Sequence, residues 1–176
     1  MEAGEIHVKF SIKDTNNSDQ ILKKIKALQS TTINVGILSD ESEELKMIAS
    51  VHEFGCDIQV TNKMRGWFGA NGYPLRKETT VIRIPERSFL RSGYDENIQD
   101  IANEIEQQLP NVFLNDVDPA MFMDHIGMKF AGMIKKKIRD IKSPANSDMT
   151  IERKGSSNPL VDSGNLLSSV RHEVKK

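Results

Sequence analysis

The chain has only one cysteine, Cys56, among its 176 residues, so an intrachain disulfide is excluded. No apolar run approaches the ~20 residues that a membrane-spanning helix needs. The first residues, MEAGEIHVKF, lack the basic start and apolar stretch of a secretory signal peptide. We therefore expect a protein that is made and assembled in a reducing cytoplasm, without membrane contact.

Aromatic side chains are also scarce, at 6 % of the residues, whereas methionines number 8. Flexible methionine side chains suit an adaptable assembly surface better than a rigid small-molecule pocket. The sequence contains neither G-x-x-x-x-G-K-[ST] nor G-x-G-x-x-G, which excludes the two common phosphate-binding loops. No cofactor is expected.

The charge is nearly balanced, with a net of −1, but it is unevenly distributed. Residues 1–126 hold 13 Lys and Arg against 20 Asp and Glu, a net of −7, and residues 127–176 hold 11 against 5, a net of +6. Surfaces of opposite sign can attract one another within a subunit or between subunits. The basic excess includes Lys135, Lys136, Lys137 and Arg139, which would also suit the carboxyl end of a helix.

Hydrophobic periodicity predicts a strand at residues 6–12, a short helix at 21–28 and a second strand at 33–37. A second helix should follow, with Asp40 as its cap and Gly55 at its end. The inner face of that helix is expected to hold four residues: Leu45, Ile48, Ala49 and His52.

Residues 56–84 have a different composition, rich in glycine and turn-forming residues. A strand is predicted at 81–84, with Ile58 and Val60 as its partner strand. The insertion at about 62–82 between them has no core periodicity, and we expect it to form a projecting hairpin or flap.

The carboxyl-terminal half predicts longer helices. Apolar spacing from Ile98 to Leu109 indicates a helix that Pro110 stops. Asp118 and Pro119 form a favourable start for the longest helix, in which Phe122, Ile126, Phe130, Ile134 and Ile138 step by four. A short helix at 148–154 and a last strand at 170–174 complete the prediction. The sum is one α+β domain over 1–176, with a small, mainly antiparallel sheet packed by two or three helices.

Candidates for chemistry are few. His52-Glu53 resembles part of a zinc-binding helix, but the second histidine four residues later is missing, and Cys56 has no partner cysteine. Nothing brings a histidine base to Cys56, so we expect a buried, inert thiol. Asp162-Ser163-Gly164 lacks the G-x-S-x-G elbow of a serine nucleophile and is typical of a turn or helix cap.

A nucleic-acid surface is a further possibility. Basic and aromatic residues alternate in the flap, as they do on surfaces that stack single-stranded bases: Lys63, Arg65, Trp67, Phe68, Tyr73, Arg76 and Lys77. Such binders usually carry a clear basic excess, which this chain lacks. Trp, Tyr and Arg are also favoured anchors of protein interfaces, and packing of the flap on a neighbouring subunit is the preferred interpretation.

Three stretches, taken together, favour one family. VHEFG at residues 51–55 is the first motif, IPERSFLR at 84–91 the second, and PLVDSGNLLSSV at 159–170 the third. In this order and spacing they resemble the neck and virion-morphogenesis proteins of tailed phages. Two departures are Ser88, where a second proline is common, and the long 62–82 insertion.

The resemblance implies a non-enzymatic structural protein of a tailed phage, prophage or phage-tail-like bacteriocin. Such a protein completes the tail or joins it to the head within the virion neck. It would assemble with itself as a ring, commonly a hexamer in such particles, between the tail tube or terminator and the head connector. Genomic DNA would pass through the ring without specific binding.

The motif residues are expected to form the scaffold of this assembly unit. Ile84-Pro85 forces an extended backbone that delivers Phe89 to the core, while Arg87 and Arg91 reach carboxylates or carbonyls. We expect interface contacts from Trp67, Phe68, Tyr73, Arg87 and Arg91. The expected scaffold residues are His52, Glu53, Phe54, Gly55, Pro85, Phe89, Pro159, Leu160, Asp162, Gly164 and Leu166.

The main alternative is a tail-associated cell-wall hydrolase. Such an enzyme needs a pair of carboxylates or a metal in a cleft. Glu53 and Glu86 are the candidate carboxylates, and both lie inside the motifs.

Overall fold

The computed structural model describes residues 17–176, so the strand predicted at 6–12 lies outside the described part of the chain. The fold class is α+β, as predicted, and the described strands form two antiparallel pairs. In chain order the elements are α1 (Ser18–Gln29), β1 (Thr32–Ile37), α2 (Glu43–Phe54), β2 (Cys56–Gln59), α3 (Asn62–Ala70), β3 (Val81–Ile84), α4 (Leu90–Leu114), α5 (Pro119–Asp140), α6 (Asp148–Lys154), α7 (Asn165–Ser169) and β4 (Val170–Lys175).

The larger antiparallel pair joins β1 to β4. Its register runs from Thr32 opposite Lys175 to Ile37 opposite Val170. The predicted strands at 33–37 and 170–174 are therefore confirmed. Alternate residues of β1 face the helices, because Ile33 packs on one core cluster while Val35 and Ile37 pack on the other.

Helix α5 is the central element, because it packs against both strands of this sheet and against α1 and α4. Its predicted stepping by four is confirmed: Phe122 and Ile126 lie in one core cluster, and Ile134 and Ile138 lie in the other. The predicted start is confirmed too, since the Asp118 carboxylate accepts hydrogen bonds from the N–H groups of Ala120 and Met121.

Gly127 allows α5 to lie close against the sheet. A Cβ atom at this position would come within 2.6 Å of the His172 ring on β4 and within 3.0 Å of Ile33 on β1. Any larger residue would push the helix away from both strands.

The prediction that Pro110 stops a helix is wrong. Helix α4 begins at Leu90 and continues through Pro110 to Leu114. Val112, in the last turn, is fully buried, and its carbonyl oxygen accepts a hydrogen bond from Lys24 Nζ at 2.6 Å. Packing of this turn outweighs the ~3 kcal/mol that an internal proline costs.

The cap of α2 was also assigned to the wrong residue. Ser42, not Asp40, caps this helix and accepts a hydrogen bond from the Leu45 N–H. Asp40 instead binds Arg171 on β4 at 2.7 Å. The helix ends at Gly55, as predicted. Ala49 is buried on its inner face, whereas Ile48 is 36 % exposed.

The predicted hairpin is confirmed, with β2 paired to β3 from Cys56 opposite Ile84 to Gln59 opposite Val81. The insertion at about 62–82, expected to be a hairpin or flap, also contains the nine-residue helix α3, which the sequence did not predict. The Thr61 side chain caps α3 by accepting from the Met64 N–H. Two glycines within α3, Gly66 and Gly69, hide the helical pattern from the sequence.

Candidate functional site

The carboxylate of Glu53 joins the end of α2 to the start of α4. Glu53 is only 3 % exposed. One of its oxygens accepts hydrogen bonds from the N–H groups of Phe89 at 2.8 Å and Leu90 at 2.9 Å. The other accepts from the Ser88 hydroxyl at 2.7 Å, the Arg91 N–H at 3.0 Å and the Arg91 Nε at 3.1 Å. A residue from one helix therefore satisfies the free N–H groups at the beginning of another.

These contacts determine the charge state of Glu53. Burial alone would raise the pKa of its carboxyl, but the N–H groups of Leu90, Arg91 and Phe89 and the Ser88 hydroxyl stabilise the carboxylate. The net effect holds the pKa below its usual value. At neutral pH Glu53 is an ionised acceptor with both oxygens occupied.

The backbone brings the first two motifs together at the same place. The N–H of Arg87 donates to the carbonyl oxygen of His52 at 2.8 Å. Gly55 has a φ of 73°, and a Cβ atom there would lie 3.0 Å from the backbone of both Ile84 and Glu86. Only glycine fits the turn from α2 into β2 at this distance.

The side chain of Arg87 extends this junction towards the third motif. Arg87 is 6 % exposed, and its guanidinium donates to the carbonyl oxygens of Pro144 at 2.7 Å and Ala145 at 3.1 Å and to the Asn146 side chain at 3.3 Å. Asn146 in turn donates to the carbonyl oxygen of Asn158 at 3.3 Å.

Asn158 fixes the start of the third motif. Its side-chain oxygen accepts from the N–H groups of Leu160 at 3.0 Å and Val161 at 3.1 Å. Leu160 and Leu166 are buried in the core, and the positive φ of Gly164, 87°, begins helix α7. The turn or helix cap predicted for Asp162-Ser163-Gly164 is confirmed, with Gly164 as the cap of α7.

A cleft of about 660 Å³ lies beside this junction, between α2, α6 and the 158–169 segment. We call it the α2–α6 cleft. Leu45 and Ile48 lie on the α2 side, and Thr150 and Lys154 on the α6 side. Several expected scaffold residues line it as well: His52, Pro159, Leu160, Asp162, Gly164 and Leu166.

His52 has an unusual environment in this cleft. In the part of the chain that the structure describes, its Nδ1 is buried without a hydrogen-bond partner. Burial, together with the positive charges of Arg87 and Lys154, lowers the pKa of His52 to about 4. The ring is therefore neutral at physiological pH.

The aromatic residues predicted for the interface lie together on the flap. Trp67 is 43 % exposed and meets Phe68 edge to face, with 5.1 Å between the ring centroids. The guanidinium of Arg153 on α6 lies 5.1 Å from the Trp67 ring, and the Tyr73 hydroxyl donates to Glu152. The flap is thus attached to α6 but leaves about half of Trp67 accessible.

The other expected site residues belong to the junction. Arg91 remains half exposed and binds both Glu53 and Glu86, while Phe54 lies under its guanidinium at 4.8 Å from the ring centroid. Phe89 is fully buried, as predicted from the extended segment that Pro85 introduces. Arg87 points inward, so its contacts are with its own chain.

The two carboxylates considered for the hydrolase alternative, Glu53 and Glu86, are both bound to groups of the junction. Both oxygens of Glu53 accept hydrogen bonds, and Glu86 binds Arg91 at 2.8 Å. Cys56 is half-buried rather than fully buried as expected. Among residues 17–176 no group of three His, Cys, Asp or Glu side chains is placed to hold a metal ion.

Sequence reasoning missed two polar residues of the junction, Asn146 and Asn158. It also did not predict that Ser88 forms a hydrogen bond there. Ser88 stood out only as a departure from the resembled pattern. Asn146 and Asn158 lie in a polar stretch with no periodicity, so no local signal distinguishes them from solvent-exposed loop residues.

No helix among the described residues combines the length and the apolar character needed to cross a bilayer. Comparison of the chain with models of protein families, with curated proteins and with solved structures finds no match in any of the three.

Proposed function

We propose that this chain is a structural virion protein of a tailed phage, prophage or phage-tail-like bacteriocin, which completes the tail or joins it to the head as part of a neck ring. The observation that carries the proposal is the junction of the three motifs. Glu53 binds the second motif from the first, and Arg87, Asn146 and Asn158 connect the second to the third. Residues separated by more than 50 positions thus form one hydrogen-bonded unit.

The contacts within this unit support reading the three motifs as one structural feature. Three short motifs scattered over a surface could each arise by coincidence. Motifs that contact one another share a structural requirement, namely the joining of α2, α4 and the 158–169 segment. The proposed function needs such a rigid scaffold, because a ring subunit transmits force between tail and head.

The flap is the proposed contact with the next subunit. Trp67 carries accessible apolar area at its tip, and aromatic anchors of this kind dominate interface energies. A head-to-tail contact of this type closes into a ring when the rotation between subunits allows it.

The charge asymmetry contributes less to such a contact than the sequence suggested. Lys129 pairs with Glu104, Lys137 with Glu96, and Arg171 with both Asp40 and Glu41, all within one chain. Among the described residues, Lys135, Lys136 and Arg139 remain without an ion-pair partner. These residues are available to steer an acidic partner.

Two measurements test the proposal. Light scattering coupled to gel filtration of the purified chain, alone and with the tail components encoded beside it, should show a ring-sized species. Deletion of the gene from an inducible prophage should leave heads and tails unjoined or tails incomplete. Infectious particles of normal shape from the deletion strain would contradict the proposal.

A further inference from the structure

We propose that the α2–α6 cleft binds a carboxylate carried by an apolar peptide segment of a neighbouring protein subunit; the source of this segment, though not its chemistry, rests on the proposed assembly function. The carboxylate would lie beside His52 and Lys154. The apolar part would lie against the leucine and isoleucine side chains of the same lining.

Two cations lie close together on the His52 side of the cleft. Lys154 lines the cleft, and Arg87, whose N–H binds the His52 carbonyl oxygen, is near enough for its charge to act on both His52 and Lys154. Neither cation forms an ion pair with any carboxylate of residues 17–176. Asp162 is the one acid whose charge acts on Lys154, so two cations face one anion. A second carboxylate would complete the balance.

The side chains of Arg87 and Lys154 already donate hydrogen bonds to nearby carbonyl oxygens. Lys154 Nζ donates to the carbonyl oxygens of Asn158 at 3.0 Å and Pro159 at 3.4 Å, and Arg87 donates to carbonyl oxygens only on the 144–145 segment. Carbonyl oxygens satisfy donors but carry no net charge. The hydrogen bonds are therefore satisfied while the charges are not.

His52 provides a directed group for an incoming carboxylate. Its Nδ1 is buried and unpartnered, and a neutral histidine can place its proton on this nitrogen. The ring would have to turn to bring this proton to a carboxylate oxygen in the cleft, because the atom is closed to solvent in the unbound chain. Binding would satisfy the unpaired buried atom, which otherwise costs stability.

The shape and the remaining lining favour a peptide segment over a free ion. Leu45, Ile48 and Leu166 provide an apolar wall, and Ile48 is left 36 % exposed by residues 17–176. The volume of about 660 Å³ holds several side chains and lies in the ~300–1,000 Å³ range of binding pockets. Glu41 and Glu44 line the cleft beside the start of α2, whereas His52 lies in its last turn, so repulsion by these two acids would favour a carboxylate near His52 and Lys154.

A pair of blocked tripeptides tests the chemistry on the whole chain. The probe is acetyl-Leu-Glu-Leu-amide, and the control is its glutamine analogue, acetyl-Leu-Gln-Leu-amide. We expect the glutamate peptide to bind at least about tenfold more tightly and to shift the ring resonances of His52 in NMR titrations. Equal affinities, or binding without a shift at His52, would overturn the proposal. So would acetate binding as tightly as the glutamate peptide, because the apolar wall would then contribute nothing.

Two variants locate the site. Lys154→Met should abolish the preference for glutamate, whereas Lys142→Met, which removes an exposed lysine outside the cleft, should keep it. Because Lys154 also holds the turn at Asn158, Asp162→Asn provides an independent check. It removes the acid that acts on Lys154, and the glutamate peptide should then bind several-fold more tightly; unchanged or weaker binding would overturn the proposal.

The outcome is separable from that of the assembly proposal. A chain that binds the glutamate peptide but joins no particle contradicts only the neck function. A chain that forms rings but binds neither peptide contradicts only the cleft proposal.

Discussion

Glu53 and Arg91 are bound to each other through both main chain and side chain. The Glu53 carboxylate accepts from the Arg91 N–H at 3.0 Å and from its Nε at 3.1 Å, while the Arg91 guanidinium donates to the Glu53 carbonyl oxygen at 2.9 Å. The end of α2 and the first turn of α4 are thereby held as one piece. Replacing the Glu53 carboxylate alone should therefore reveal how much the junction contributes to the free energy of unfolding.

Glu53→Gln should lower the free energy of unfolding by about 2–4 kcal/mol, because the amide turns two N–H donors towards N–H groups that need acceptors. The lowered pKa of Glu53 means that its contribution is present at neutral pH and is lost as the pH falls through that pKa. Urea denaturation at pH 7 measures the change. Glu86→Gln, at an exposed partner of the same arginine, is the matched control and should cost much less. A loss for Glu53→Gln no larger than that of the control would refute this role.

Arg87→Ala should destabilise the chain by about 2–3 kcal/mol, because a buried guanidinium is removed and three acceptors lose a charged donor. Arg87→Lys should recover less than half of that loss, since an ammonium lacks the planar fork. Arg83→Ala breaks an exposed ion pair with Asp57 and should cost below about 1 kcal/mol. Thermal unfolding compares the three. If Arg87→Ala were as stable as Arg83→Ala, the junction would not depend on Arg87.

The stability of the protein should depend on pH through His52. The folded chain protonates this ring only near pH 4, whereas an unfolded histidine does so near its model value of 6.5. The free energy of unfolding should therefore fall as the pH drops from 6.5 towards 4, by up to about 2 kcal/mol between pH 7 and pH 5. His52→Gln should remove this dependence, and His125→Gln, on the exposed surface of α5, should retain it. Equal pH dependence in both variants would exclude His52 as the cause.

Limited trypsin digestion should cut the flap first, after Arg76 or Lys77, both of which are exposed. Arg65 should be cut later, because it lies on α3 and its guanidinium donates to the carbonyl oxygens of Arg76, Lys77 and Thr79. Arg65→Gln should speed the first cut by releasing this loop. If the flap orders on assembly, the ring form should resist digestion. A proven monomer that resisted trypsin completely would contradict the expected mobility.

Trp67→Ala combined with Phe68→Ala should weaken the ring at any salt concentration, because the accessible aromatic surface is lost. Raising the salt should slow assembly with little loss of rings already formed, since charge attraction is screened over ~8 Å at physiological ionic strength. Light scattering follows both. Leu114→Ala provides a control at an apolar residue that is 81 % exposed elsewhere. A double variant that assembled as well as the parent would show that the flap is not the interface.

Elements with strong periodicity were predictable from the sequence. Five apolar residues at intervals of four predicted the buried face of α5, and Asp118 with Pro119 predicted its start, because these signals are local. The strands at 33–37 and 170–174 followed from alternation alone.

Features that depend on distant contacts were not predictable. Proline disfavours a helix interior in any sequence, so Pro110 predicts a helix end. The burial of Val112 and the hydrogen bond from Lys24 explain why α4 continues past it. Asp40 and Ser42 are both good caps, and the attraction of Asp40 to Arg171 on β4 decides between them.

The junction shows the same limit. The motifs identified Glu53 as a scaffold residue and Arg87 as an interface residue, but the partners of both are 35 to 59 residues away in the sequence. The α2–α6 cleft has no linear signature, because its lining comes from three segments that meet only in the folded chain.

The pairing of β1 with β4 has a consequence for synthesis on the ribosome. Arg171 on β4 and Asp40, which follows β1, are 131 residues apart, so the sheet closes only after β4 has emerged. Until then β1 has an unpaired edge, and the inner face of α5 lacks part of its cover. Translation speed and chaperone binding during this interval should therefore influence the yield of folded protein more than the stability of the finished fold does. The reason is that the contacts that close the sheet join residues far apart in the sequence.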